Sequence, residues 1–238
     1  MKTMDKRTKL SVALKGGAVA FAFIGVANSV IMSLITGDGV RSLLYFTLQS
    51  NILNIVVMAI FLADEILRHY GKSSLANPTL RTIKFVSLTS VMLTLIVFGF
   101  ILTPVLPLIY VFSVTSITLH FIAPLLSLAD YWVFDRGQAT SISEIWYALV
   151  PPLGYFVFVL LATFIGLEFS SENPFVPYFF MDYRTLGWFR IDDNGIGVAY
   201  WGLFISLIVG ALGWILCKIK QPKTKFKARE EEVNHDWE

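Results

Sequence analysis

The chain reads as an all-α integral membrane protein, a bundle of six transmembrane helices with both termini in the cytoplasm. Three observations predict this. Of its 238 residues, 55% are hydrophobic and 15% charged, where a soluble domain of this length carries about a quarter charged residues. Six segments, 10–36, 42–68, 81–103, 109–134, 143–168 and 195–218, meet the requirement of about 20 largely apolar residues for crossing a bilayer. Sixteen lysines and arginines fall on the side of the termini, against three, Arg41, Arg184 and Arg190, on the other. The positive-inside rule then makes the termini cytoplasmic and the chain a multi-pass protein of the cell membrane. Residues 1–218 form a single transmembrane domain, and 219–238 form a charged tail.

The basic stretch from Lys2 to Lys9 followed by an apolar run imitates a signal peptide. The run extends to Thr36, however, and lacks a small-x-small cleavage site, so it reads as the first span. In the second span, YFTLQSNILN places Thr47, Ser50, Asn51 and Asn54 on one helical face at i, i+3, i+4 and i+7. Lipid satisfies none of these groups, so the stripe must face other helices or a water-filled cavity. Asp64, Glu65, Arg68 and His69 end the same span, where they are expected to reach headgroups and water. Ser87, Ser90 and Thr94 give the third span a small-residue face suited to close packing.

Pro104 and Pro107 mark a short turn before the fourth span, in which Ser113, Ser116, His120, Pro124 and Ser127 share a face. His120 is the only histidine inside a span, and an ionisable group at that depth is a functional candidate by default. Pro124 is expected to free the carbonyl of His120 and loosen the helix there. Asp130, ten residues or about 15 Å further along, is too far to orient His120 and with Asp135 is expected at the inner interface. Pro151 and Pro152 should kink the fifth span, and Trp146 and Tyr147 mark an inner aromatic belt. The outer loop 169–194 is aromatic and proline-rich, as a lid or an interfacial anchor would be. The basic part of the tail is a topology signal and a contact for anionic lipid.

Missing features narrow the chemistry. Cys217 is the sole cysteine, which excludes an internal disulfide, a multi-cysteine zinc site and a Cys-ligated cluster. The chain contains no H-E-x-x-H, no paired histidines for haem and no phosphate-cradling glycine loop, so no cofactor or metal is expected. Ion-coupled transport lacks support because the acidic residues cluster at span ends. What remains is a hydroxyl with an imidazole. Serine and threonine attack poorly until a base takes their proton, and His120 is the only base at depth. A side-chain amide such as Asn51 can donate to a developing oxyanion, an interaction worth about 3 kcal/mol in a well-studied case. A lipid-ester hydrolase is coherent with these groups. So is a non-enzymatic lipid- or small-molecule-binding protein or transporter in which the stripe packs helices or lines a path. The expected partners are membrane lipids and a lipophilic substrate, with no nucleic acid and no deducible protein partner.

YFTLQSN in the second span, LHFIAPLLSLADYWVF in the fourth and PFVPYFFMDY in the outer loop, in that order along most of the chain, resemble the bacterial "Pr-six-Pr" membrane proteins. These are distant relatives of the androgen-induced membrane protein family, whose members hydrolyse fatty acid esters of hydroxy fatty acids through an intramembrane threonine and histidine. The resemblance implies Thr47 as nucleophile and His120 as base. Counted from span starts near Ser42 and Tyr110, however, Thr47 lies about 7.5 Å deep and His120 about 15 Å, whereas Ser50, at about 12 Å, matches His120 better. Ser50 is therefore the rival nucleophile, with Asn51, Asn54 and Ser116 as supporting residues.

Overall fold

The computed structural model describes residues 3–135, 143–171, 174–193 and 195–220, with the side chains of residues 219 and 220 left out. The charged tail, beyond its first two residues, lies outside them. Six long apolar helices make the chain an all-α bundle and a multi-pass membrane protein: α1 (Lys6–Ile35), α2 (Phe46–His69), α3 (Pro78–Val105), α4 (Val114–Phe134), α5 (Ser143–Phe164) and α6 (Val198–Lys220). The sequence places most span ends within four residues of these. Span four is the exception. Residues 108–111 form a separate short turn, and a new helix starts at Val114 because Ser113 caps it by accepting from the Ser116 N–H at 3.1 Å. The fifth helix runs continuously through Pro151 and Pro152.

α3 is the central helix. Of its apolar window 61% is buried, against 22% for α1, α5 and α6, which leave most of their surface to lipid. Its Phe85, Val91 and Leu93 form one core with Tyr131 of α4, Val159 of α5 and Leu216 of α6. α1 attaches to α2 and α4 through a seam that hydropathy does not reveal: Ser11, Lys15, Ala18, Ala22 and Gly25 are all buried, at spacings of 4, 3, 4 and 3. At Gly25 the backbone passes so close to α4 that a Cβ would fall into the Thr118 hydroxyl and the Leu119 side chain. Gly25→Ala is therefore expected to cost about 1–3 kcal/mol of stability by overpacking and to displace the segment that carries His120. Thermal denaturation in detergent checks this, with Gly16→Ala, whose added Cβ meets nothing within 4 Å, as the silent control.

The end of the bundle that carries the termini is pinned by charge. Lys15 of α1 and Lys84 of α3 each bind Asp130 of α4 at 2.6 Å, and Lys84 also binds Asp135 at 2.6 Å. Asp130 is fully buried, where it is the shared anion of two buried lysines. Asp64 is also buried, where it accepts from the Leu75 N–H at 2.6 Å and from the Ser74 hydroxyl at 2.8 Å and so ties the connection after α2 to that helix.

At the other end Arg41 binds Glu168 at 2.7 Å, and Asp38 accepts from the backbone N–H and the hydroxyl of Ser171. These bonds fasten the connection between α1 and α2 to the start of the loop that follows α5. The loop packs inward with Phe169, Val176, Phe180 and Met181 buried, forms one helical turn at Tyr183–Leu186, and closes with a two-residue hairpin pairing Ile191 with Ile196. It covers this end of the bundle. The covering follows from composition, since aromatic side chains have more to gain from the α5 and α6 tops than from water.

Candidate active site

The polar stripe of α2 is buried throughout, but its members do different work. Thr47 lies one residue into α2, and its Oγ1 is 3.3 Å from Nε2 of His120. Asn54 reaches the Ser127 hydroxyl of α4 at 3.0 Å and accepts from Ser87 of α3 at 3.4 Å, which makes it glue between three helices. Ser50 turns its hydroxyl back to the Thr47 carbonyl at 3.1 Å and lines a separate cavity with Ser90, Gly154 and Phe158, away from His120. The depth comparison that favoured it assumed that α2 and α4 begin level. They do not: Thr47 is the second residue of α2 and His120 the seventh of α4, yet their side chains meet.

Asn51 corrects a second expectation. Its amide N–H groups go to the Thr47 carbonyl at 2.8 Å and the Leu119 carbonyl at 3.3 Å, so neither faces the Thr47 hydroxyl as an oxyanion donor. The Leu119 bond has a local cause. Residues Thr118–Ile122 are π-helical, with Ala123 N–H donating to Thr118. The next carbonyl in this register, that of Leu119, falls opposite Pro124, which has no N–H. Pro124 thus leaves the Leu119 carbonyl without a helical donor, and Asn51 supplies one.

The π segment also aims the imidazole. Nδ1 of His120 lies 3.2 Å from the Ser116 carbonyl and donates to it, which fixes the tautomer with the Nε2 lone pair towards Thr47. Ser116 therefore contributes through its backbone, while its hydroxyl accepts from Ser113 at 3.0 Å. Phe98, itself in a second π-helical stretch at Val97–Leu102, stacks on the imidazole at 3.8 Å between centroids and 9° between planes. The ring is held on its face and at one edge, leaving one nitrogen to act.

Two residues invisible to helical periodicity complete the site. Among the described residues no side chain caps α2. Beside its start the Tyr155 hydroxyl donates to the Leu44 carbonyl at 3.0 Å, which ties α5 to the turn before α2. The Tyr178 hydroxyl lies 3.5 Å from Thr47 Oγ1. Burial pushes this phenol up from its ordinary range, so it stays protonated and able to donate.

Thr47 and His120 sit where two cavities meet. One, of about 330 Å³, runs between α3, α5, α6 and the loop and is walled by Val97, Phe156, Trp188, Trp201 and Ile205. The other, of about 390 Å³, lies beside α1 and the start of α2 and presents Ser29, Ser33, Asp38, Ser42, Tyr45 and Thr115. Phe98, Leu102 and Tyr178 border both. Among the described residues no group of three or more His, Cys, Asp or Glu side chains is placed to hold a metal. Comparison with protein-family models, with curated proteins and with solved structures gives no match.

Proposed function

We propose that the protein is an intramembrane hydrolase of lipid esters in which Thr47 is the nucleophile and His120 the base. One observation carries this: a threonine hydroxyl is bonded to the acceptor nitrogen of a buried imidazole whose other nitrogen is held by a backbone carbonyl. This is the nucleophile, base and orienting group of a catalytic triad, with the Ser116 carbonyl in the third place. The resemblance to the "Pr-six-Pr" proteins points to the same pair and to fatty acid esters as substrates. The distribution of lysines and arginines supports cytoplasmic termini and hence a site in the outer half of the cell membrane.

In the proposed reaction Thr47 Oγ1 attacks the ester carbonyl carbon while Nε2 of His120 takes its proton. The tetrahedral oxyanion collapses, the alcohol leaves with the proton from His120, and an acyl-threonine remains. Water then attacks, giving one proton to His120, which returns it to Thr47 Oγ1 as the acid departs. Tyr178 is placed to donate to the oxyanion in both steps.

Purified protein assayed on lipid esters is expected to release fatty acid, with Thr47→Ala inactive and Ser50→Ala close to wild type. Full activity in Thr47→Ala would end the proposal. A protein that binds lipid but hydrolyses no ester would instead be a binding protein or transporter. Tyr178→Phe is expected to lower kcat by about 10²–10³ with little change in KM, the signature of a donor used only in the transition state. A change in KM alone would give Tyr178 a role in binding.

A further inference from the structure

The two cavities at the Thr47 and His120 pair differ in chemistry. The first is mostly aromatic and aliphatic, with Thr94, Tyr155 and Ser206 among its few polar side chains. The second has apolar walls too, Leu48, Leu106 and Phe169 among them, but also gathers the side chains of Ser29, Ser33, Tyr45 and Thr115. Hydroxyls that line a cavity are satisfied by water or by a polar ligand that enters it. Charge adds a second distinction. Asp38 is the one charged side chain on this wall among the described residues. The hydrogen bonds from Ser171 hold its carboxyl below the ordinary carboxylate range, so it stays ionised. The nearest cation, Arg41, is already shared between Asp38 at 3.7 Å and Glu168 at 2.7 Å.

We infer that the site divides its substrate at the ester bond, taking the acyl chain into the apolar cavity and a hydroxylated alcohol arm without negative charge into the cavity beside Asp38, Ser29 and Ser33. The inference rests on the proposed Thr47 and His120 hydrolase and narrows its substrate class to esters of neutral polyols, of which a monoacylglycerol is the simplest. The polar cavity is also the side from which water reaches the acyl-threonine, once the alcohol has left through it. A free carboxylate on the alcohol arm would stand against Asp38 with no unshared cation to receive it.

The test uses the full chain in lipid nanodiscs and three esters of one acyl chain: a glycerol monoester, a hydroxy fatty acid ester with its carboxylate free, and the same compound as its methyl ester. Wild type is expected to favour the glycerol ester over the free carboxylate by about tenfold or more in kcat/KM, with the methyl ester recovering part of the difference. Asp38→Asn is expected to narrow that ratio, and Ile205→Trp, in the other cavity, to shorten the preferred acyl chain without changing it. Activity that depends on Thr47 but favours the free carboxylate, or a ratio unmoved by Asp38→Asn, overturns the inference and leaves the hydrolase standing. Activity that survives Thr47→Ala, or no hydrolysis of any ester, overturns both.

Discussion

His120→Ala is expected to lower ester hydrolysis by about 10²–10⁴-fold, the usual contribution of a positioned general base. Thr47→Ala should lower it at least as far, because without the hydroxyl no acyl-enzyme forms. The double variant should be no worse than Thr47→Ala alone, since two residues that act as one unit do not lose their contributions additively. Thr47→Ser keeps a hydroxyl at the same place and is expected to retain measurable activity. Each variant keeps its fold for a stated reason: the Thr47 carbonyl that accepts from Ser50 and Asn51 is left in place by substitution, and Phe98 still fills the space beside residue 120. Circular dichroism and thermal denaturation of each variant separate lost chemistry from lost structure.

The largest expected effect on stability lies at the opposite end of the bundle. Asp130→Leu leaves Lys15, which also donates to Ser11, with Glu65 at 3.9 Å as its anion among the described residues, and Lys84 with Asp135. Removing one partner from a buried ion pair costs about 3–5 kcal/mol, because the charge left behind has lost its compensation and cannot return to water. That is a large fraction of the stability of a domain, so the expected result is little folded protein in detergent or a midpoint many degrees lower. A second variant isolates the cause. Lys15→Met combined with Asp130→Leu removes one charge of each sign and keeps the Lys84 to Asp135 pair, and it should be more stable than Asp130→Leu alone. Equal stability of the two would mean that packing, rather than charge, is what Asp130 supplies.

Much of this is legible in the amino-acid sequence itself. Hydropathy counts span by span, and helical periodicity put Thr47, Asn51 and Asn54 on one face and Ser116, His120 and Ser127 on another, because both signals are local. The local signals failed where the backbone leaves α-helical register. Two π-helical stretches turn Phe98 and His120 towards each other, and a helix wheel drawn at 100° per residue does not contain them. Depth counted from span starts misplaced Thr47 because the helices start at different levels. Tyr178 was hidden because its position depends on how an entire loop folds back across the bundle, although it lies within the loop stretch PFVPYFFMDY that carried the family resemblance. Lys15 and Lys84 passed as charges near span ends. Their partner Asp130 is 115 and 46 residues away, and only the packing of α1, α3 and α4 brings the three together.

The proposed chemistry stands on the Thr47 hydroxyl being activated, which covalent labelling reads directly. Purified protein treated with a fluorophosphonate and digested for mass spectrometry is expected to carry the phosphonyl group on the peptide spanning Thr47, with the modified atom at Thr47 itself. His120→Ala should abolish the adduct while the fold persists. An adduct on Ser50, or labelling of Thr47 that is undiminished in His120→Ala, would contradict the assignment of nucleophile and base.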